Sequence, residues 1–132
     1  MRIGLGLGLG LGLACGAPAT PPKHVDLTAN VSADAVDAAI PGDYVTIVDF
    51  WSEACGACKV VEDKTAAELA AEPLVVVRKV DVADGFTTAA RSYDVGALPH
   101  WNIYDRHRHL RYVLVGSDCL KAPQLAHALA AE

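Results

Sequence analysis

Two periodicities alternate along most of the chain. Residues 18–30 read as a tether running into a first strand at 24–27. Ser32 can cap a short helix over 33–40, which Pro41 and Gly42 end. Residues 44–51, rich in Val, Ile and aromatics, predict a central strand. A helix follows over 57–71, with Val60, Val61, Leu69 and Ala70 as its apolar face. Glu62, Asp63, Lys64 and Glu68 form its polar face, and Pro73 stops it. The nearly continuous valine run at 74–82 is the pattern of a strand buried on both faces. A short helix over 85–93 comes next. Strands at 101–104 and 109–115, joined by a turn at 105–108, make a hairpin. Pro123 suits the first turn of a last helix whose buried stripe is Leu125, Ala126 and Leu129. The order β-α-β-α-β-α-β-β-α predicts an α/β fold, a central mixed sheet with helices on both faces.

The first nineteen residues stand outside that pattern. Met1-Arg2 is a minimal positive start, and residues 3–13 alternate Gly and Leu. As a helix, residues 3–17 would span roughly 22 Å at ~1.5 Å per residue, short of the ~30 Å hydrocarbon core. An apolar stretch of this length with small residues behind it reads as a secretory signal. Residues 1–19 are therefore assigned to signal and tether, and 20–132 to one domain. Leu13-Ala14-Cys15-Gly16 resembles the lipobox of bacterial lipoproteins, which implies a lipidated Cys15 and a membrane anchor. Ordinary cleavage, for example after Ala17 or Ala19, and an uncleaved tail with an incidental Cys15 stay open.

Charge narrows the partners. Eleven basic residues against 16 acidic ones give a net charge of −5, which argues against a nucleic-acid partner. The four cysteines do not make a stapled scaffold. Cys15 lies in the leader, Cys55 and Cys58 form a local pair, and Cys119 is left over.

Cys55-Gly56-Ala57-Cys58 is the stretch that carries chemistry. A Cys-x-x-Cys can be half a zinc site, a redox pair, an inert disulfide or an accident. Zinc needs about four ligands. Among Cys119, His24, His100, His107, His109 and His127, only His107 and His109 have paired-ligand spacing. A strand running directly into the pair, with a helix after it, favours redox chemistry. Cys55 then lies where free backbone N–H groups and the helix dipole stabilise a thiolate, and it is the expected nucleophile. Cys58, one turn inside, is the expected resolving thiol. Gly56 leaves room for a substrate backbone. No cofactor beyond the cysteine pair is required.

Val48-Asp49-Phe50-Trp51 ahead of Cys55-Gly56-Ala57-Cys58-Lys59 resembles the active-site signature of the thioredoxin family. Lys79-Val80-Asp81-Val82, the segment from Tyr93 to Pro99, and Val115-Gly116 with the final helix extend the resemblance over roughly residues 24–131. A weaker kinship, through Glu62 and Thr65 on the helix, is with membrane-associated thioredoxin-like domains that pass electrons into the bacterial periplasm. The resemblance implies a thioredoxin fold and roles for individual residues. Asp49, a carboxylate in an apolar run, is expected to be buried with a raised pKa and to exchange a proton with Cys58. Lys79 is a candidate partner for Asp49. Pro99 is expected to be cis, with Leu98 pairing to an extended substrate, and Trp51 to pack beside the thiols. Gly56 and Ala57 complete the substrate face.

Three departures bear on direction. Ala57 replaces the usual Pro between the cysteines, Ala54 the usual exposed aromatic, and His100 the common Thr after the cis-proline. His100 is expected on a solvent-facing strand position. Arg106, His107, Arg108, His109 and Arg111 read as a solvated hairpin tip, with anionic headgroups or an acidic partner as the alternative. Cys119 reads as a small buried residue. The function expected is thiol–disulfide oxidoreductase acting on protein disulfides, exported to the periplasm or cell envelope. The first form is a reductase or relay fed by a membrane electron donor. An oxidant or isomerase on the same scaffold, and a non-catalytic binding module, remain as alternatives.

Overall fold

The computed structural model describes residues 16–132. The Gly-Leu leader and Cys15, with the lipidation expected there, lie outside the described residues. Within them the chain runs β1 (His24–Leu27), α1 (Ala33–Ala38), β2 (Val45–Trp51), α2 (Gly56–Ala71), β3 (Val75–Asp81), α3 (Thr88–Ser92), β4 (His100–Tyr104) and β5 (Leu110–Val115). A 3-10 turn, Gly116–Lys121, leads into α4 (Ala122–Ala130). The sheet order is β1-β3-β2-β4-β5. β1, β3 and β2 are parallel, and β4 and β5 are added antiparallel. This is the thioredoxin fold.

The strand period of two divides the core. Val45 and Ile47 of β2 point into one layer, with Val61 and Leu69 of α2, Trp101 and Ile103 of β4, and Ala126 and Leu129 of α4. Val48 and Phe50 point into the other, with Val36 of α1, Val80 and Val82, and Ala89 and Ala90 of α3. Asp49 shares the face of Val45 and Ile47, so it points under α2.

Local chemistry sets the helix limits. The Ser32 hydroxyl accepts from the Ala35 N–H, and the Thr87 hydroxyl from the Ala90 N–H, each at 3.2 Å. α1 stops at Ala38, ahead of Pro41, and Ile40 turns back into the core. α3 does not reach back to residue 85. Gly85 sits at φ 87°, in the left-handed region, and the Asp84 carboxylate takes the Phe86 N–H, so helix begins only at Thr88. The buried face of α2 is Cys58, Val61, Thr65 and Leu69. Val60 and Ala70, expected on that face, are exposed instead. Once Cys58 and Val61 face inward, Val60 falls about 100° to the side. Thr65 takes the inner position by donating its hydroxyl to the Val61 carbonyl at 2.9 Å.

One buried cation ties three segments together. Arg78 on β3 is 3% exposed. Its guanidinium donates to the carbonyls of Ala39 (2.7 Å), Val77 (2.9 Å) and Pro22 (3.1 Å). It thereby fastens the end of α1 and the residues entering β1 to the parallel side of the sheet. Among the described residues no helix is long and apolar enough to cross a membrane.

Candidate active site

The loop leaving β2 brings the two cysteines to the start of α2. Cys55 is the N-cap residue and Cys58 lies in the first turn. They form a disulfide with Cα atoms 5.3 Å apart. The Cys58 N–H points at Cys55 Sγ, 3.1 Å away. Cys55 is half-buried, whereas Cys58 is 4% exposed. The asymmetry fits an accessible sulfur ahead of a shielded one. After reduction, the unpaired N–H groups of the first turn favour a thiolate on Cys55. Gly56 and Ala57 are exposed, and a side chain at Gly56 would meet open space.

Beneath the pair, Asp49 is 4% exposed, and burial raises its carboxyl to about 7. Trp101 and then Lys79 pull that value down, and Glu62 pushes it up. Lys79 is in register with Asp49 on the β2/β3 ladder, but its direct partner is another residue. Its ammonium is held by both Glu62 oxygens at 2.8 and 2.9 Å and lies 4.5 Å from the centre of the Trp51 ring. α2 supplies the carboxylate because Glu62 follows Cys58 by four residues, on the same side of the helix. The expected Asp49–Lys79 pair is thereby replaced by a Lys79–Glu62 pair, with Lys79 reaching Asp49 only through its field. Trp51 packs its ring against this ion pair.

The Leu98–Pro99 bond is cis. Pro99 is buried and its carbonyl accepts from the Gly116 N–H at 2.8 Å, while Leu98 lies in an open groove. That groove, about 400 Å³, runs from Ser52 past Val82 to Phe86 and back along Val95 to Leu98. The Ser52 carbonyl accepts from the Cys55 N–H, so the groove adjoins the redox loop. Phe86 is 74% exposed at its lip. Nothing in the chain's periodicity marks Phe86, because it follows a glycine outside any regular element. Of the residues expected on the substrate face, only Leu98 lines this groove.

His100 is not at a solvent-facing position. β4 lies between β2 and β5 with both faces covered, so its alternation has no solvent side. The His100 ring meets Phe50 edge-on at 5.5 Å and its Nε2 bonds Asn102 Oδ1 at 3.0 Å. Burial lowers its pKa. It belongs to the layer of α1 and α3, on the side of the sheet away from Asp49. Cys119 is fully buried, its thiol directed to the Leu114 carbonyl at 3.4 Å and the Pro99 carbonyl at 3.8 Å. Burial, and then the nearby Asp49 charge, push that thiol up to about 12. It remains protonated and unreactive near neutral pH.

The basic hairpin tip is organised by an acid. Asp105 Oδ1 accepts the His107 and His109 N–H groups, and Oδ2 pairs with Arg111 at 3.2 Å. Arg111 also pairs with Glu132 at 2.8 Å. Among the described residues no group of three or more His, Cys, Asp or Glu is placed to hold a metal ion.

Comparison with known proteins agrees with this geometry. Residues 27–129 match the thioredoxin family. A curated thioredoxin of Echinococcus granulosus is 38% identical over 69 residues, covering 52% of this chain and 64% of that protein's length. The fold superimposes on thioredoxin from Trypanosoma brucei brucei with a TM-score of 0.68 at 20% identity, over 89% of this chain and 99% of the other. Thioredoxin of Fasciola hepatica gives a TM-score of 0.63 at 24% identity, over 76% and 96%.

Proposed function

The chain belongs to the thioredoxin family, and on that premise we propose that it is a thiol–disulfide oxidoreductase for protein disulfides, working as a reductase or electron relay in the cell envelope. The reduced Cys55 thiolate attacks a substrate disulfide and forms a mixed disulfide, expelling one substrate sulfur as a thiolate that takes its proton from solvent. Cys58 then attacks Cys55 Sγ, giving its proton to Asp49. The second substrate thiol leaves, and the Cys55–Cys58 disulfide remains. Two electrons pass to the substrate, and a dithiol donor must return them. The observation that carries the reading is the disulfide at the head of α2 above a buried, unpaired carboxylate at about 7.

Electrostatics favour the reductant direction. A strong oxidant needs a strongly stabilised thiolate in its reduced form. Here the nearest cation in sequence, Lys59, is exposed and paired with Glu53 at 3.4 Å. Lys79 is held by Glu62, and His100 is buried on the far side of the sheet. Asp49 and Glu62 oppose a second negative charge. None of these three groups is free to pair with the thiolate, which leaves the helix N-terminus to stabilise it and supports a low reduction potential. The groove beside Cys55 suits an extended segment flanking a substrate cysteine, with Phe86 and Leu98 offering apolar contact.

Residues 1–19 are read as signal and tether, with Cys15 as lipid anchor and a membrane dithiol as electron donor. An insulin-reduction assay with Cys55→Ser as control tests catalysis, and equal inactivity of the two proteins would refute it. A Cys55–Cys58 potential near that of strong oxidants would refute the direction. Mass spectrometry of the mature N-terminus tests the anchor, and an unmodified Cys15 would refute it.

A further inference from the structure

Asp49 and Trp101 are direct partners on the antiparallel β2/β4 ladder, so their side chains leave the sheet together on the α2 side. Both are almost fully buried. Asp49 Oδ1 and Trp101 Nε1 are also two of the three buried side-chain polar atoms that have no hydrogen-bond partner among the described residues. The third, Thr46 Oγ1, lies on the other face of β2. An acceptor and a donor are thus left unsatisfied side by side, each at a depth where an unmade hydrogen bond is costly.

Both residues line one small cavity, with His24, Glu62, Thr65 and Lys79 around it. Its volume of about 40 Å³ exceeds the ~10–15 Å³ that one water needs. The polar groups already at its rim are committed elsewhere. Lys79 and Glu62 hold each other, and the Thr65 hydroxyl donates to Val61. Among the described residues, the indole N–H is the fully buried donor in the cavity wall that lacks an acceptor.

We propose that Trp101 is a positioning residue for Asp49, its indole N–H holding the carboxylate across this cavity directly or through one water. The proposal rests on the proton-transfer reading of Asp49 above and deepens it. A donor aimed at a carboxylate favours its ionised form, so Trp101 opposes the effect of burial. It keeps the carboxylate able to lose its proton again near neutral pH. Other groups act on the same carboxylate. Lys79 from β3 favours its charge, and Glu62 from α2 opposes it. Cys119 from the 3-10 turn feels its charge, His24 of β1 shares the cavity, and Cys58 is on the buried face of α2. α4 presents Ala126 and Leu129 to this layer. Trp101 is the contribution from β4.

The test follows the Asp49 carboxyl carbon and the Trp101 indole ¹⁵N–H of the full-length protein by NMR from pH 5 to 9. The expected result is one shared midpoint, with the indole response abolished in Asp49→Asn. In Trp101→Phe the Asp49 midpoint should rise by about half a pH unit or more, a roughly threefold change in proton affinity. The pH profile of insulin reduction should move with it. An indole signal indifferent to Asp49, or an unmoved midpoint in Trp101→Phe, overturns the proposal. If Trp101→Phe fails to fold, the wild-type and Asp49→Asn titrations still decide. Should Asp49→Asn leave the rate and its pH profile unchanged while the indole follows Asp49, the proton-transfer reading falls and the positioning stands.

Discussion

Replacing Asp49 by Asn should stabilise the oxidised protein, and the gain should depend on pH. Burial raises the Asp49 carboxyl from 3.8 to about 7. Below pH ~4 the folded and unfolded chains both carry the proton. Between that point and about 7 only the folded chain carries it, so stability falls as pH rises and levels off once both forms have lost it. At ~1.36 kcal/mol per pH unit, the full displacement amounts to about 4 kcal/mol. Asn has nearly the same shape, no charge to bury, and an oxygen that can still face the Trp101 indole. The assay is urea unfolding of wild type and Asp49→Asn at pH 4 and pH 8, both with the Cys55–Cys58 disulfide intact so that those thiols do not titrate. The two should be similar at pH 4. At pH 8 the variant should exceed wild type by about 4 kcal/mol, or ~1.5–4 M in the urea midpoint. Groups common to both proteins cancel in the difference. Parallel pH dependences would refute the claim that Asp49 is buried without a neutralising partner.

Three further outcomes are expected. Arg78→Ala removes the donor serving Ala39, Val77 and Pro22 and should cost about 3–5 kcal/mol in denaturant unfolding; a loss below ~1 kcal/mol would show that the staple is dispensable. In the reduced protein at pH 8, iodoacetamide should modify Cys55 readily and Cys119 only after unfolding, as peptide mass spectrometry would read; equal rates would refute the burial of Cys119. Phe86→Ala should lower kcat/KM for a protein disulfide roughly tenfold, as for loss of an aromatic contact. It should leave reduction of a small aromatic disulfide unchanged, and an equal loss on both would place its effect outside the groove.

Much of this arrangement was legible in the sequence because it rests on local signals. Asp49 stands out as a charge inside an apolar strand, and Cys55 takes its N-cap position from the strand-to-helix junction. Ser32 marks the first helix in the same way. Features that depend on how elements are rotated against one another were not legible. The pairing of Lys79 with Glu62 rather than Asp49 follows from the face that α2 turns to the sheet. Apolar composition places that helix's face only in part: Val61 and Leu69 are buried as it implies, but Val60 is apolar yet exposed and Thr65 polar yet buried. Alternation cannot place His100, because it reveals a solvent side only when a sheet has one, and β4 is covered on both. Trp101 owes its significance to the strand register, which sets it opposite Asp49.

The parallel course of β1, β2 and β3 gives the molecule two poles. The backbone enters the sheet at the N-terminal end of β1, where Arg78 clamps Pro22, whereas the thiols stand at the C-terminal end of β2. The seven residues of β2 separate these ends by about 23 Å at ~3.3 Å per residue. The disulfide thus faces away from the point where Arg78 holds Pro22. If residues 1–19 anchor the chain as proposed above, a partner approaches the thiols from the pole opposite the anchor, so holding the protein in place and turning it over as a catalyst need not compete for the same surface.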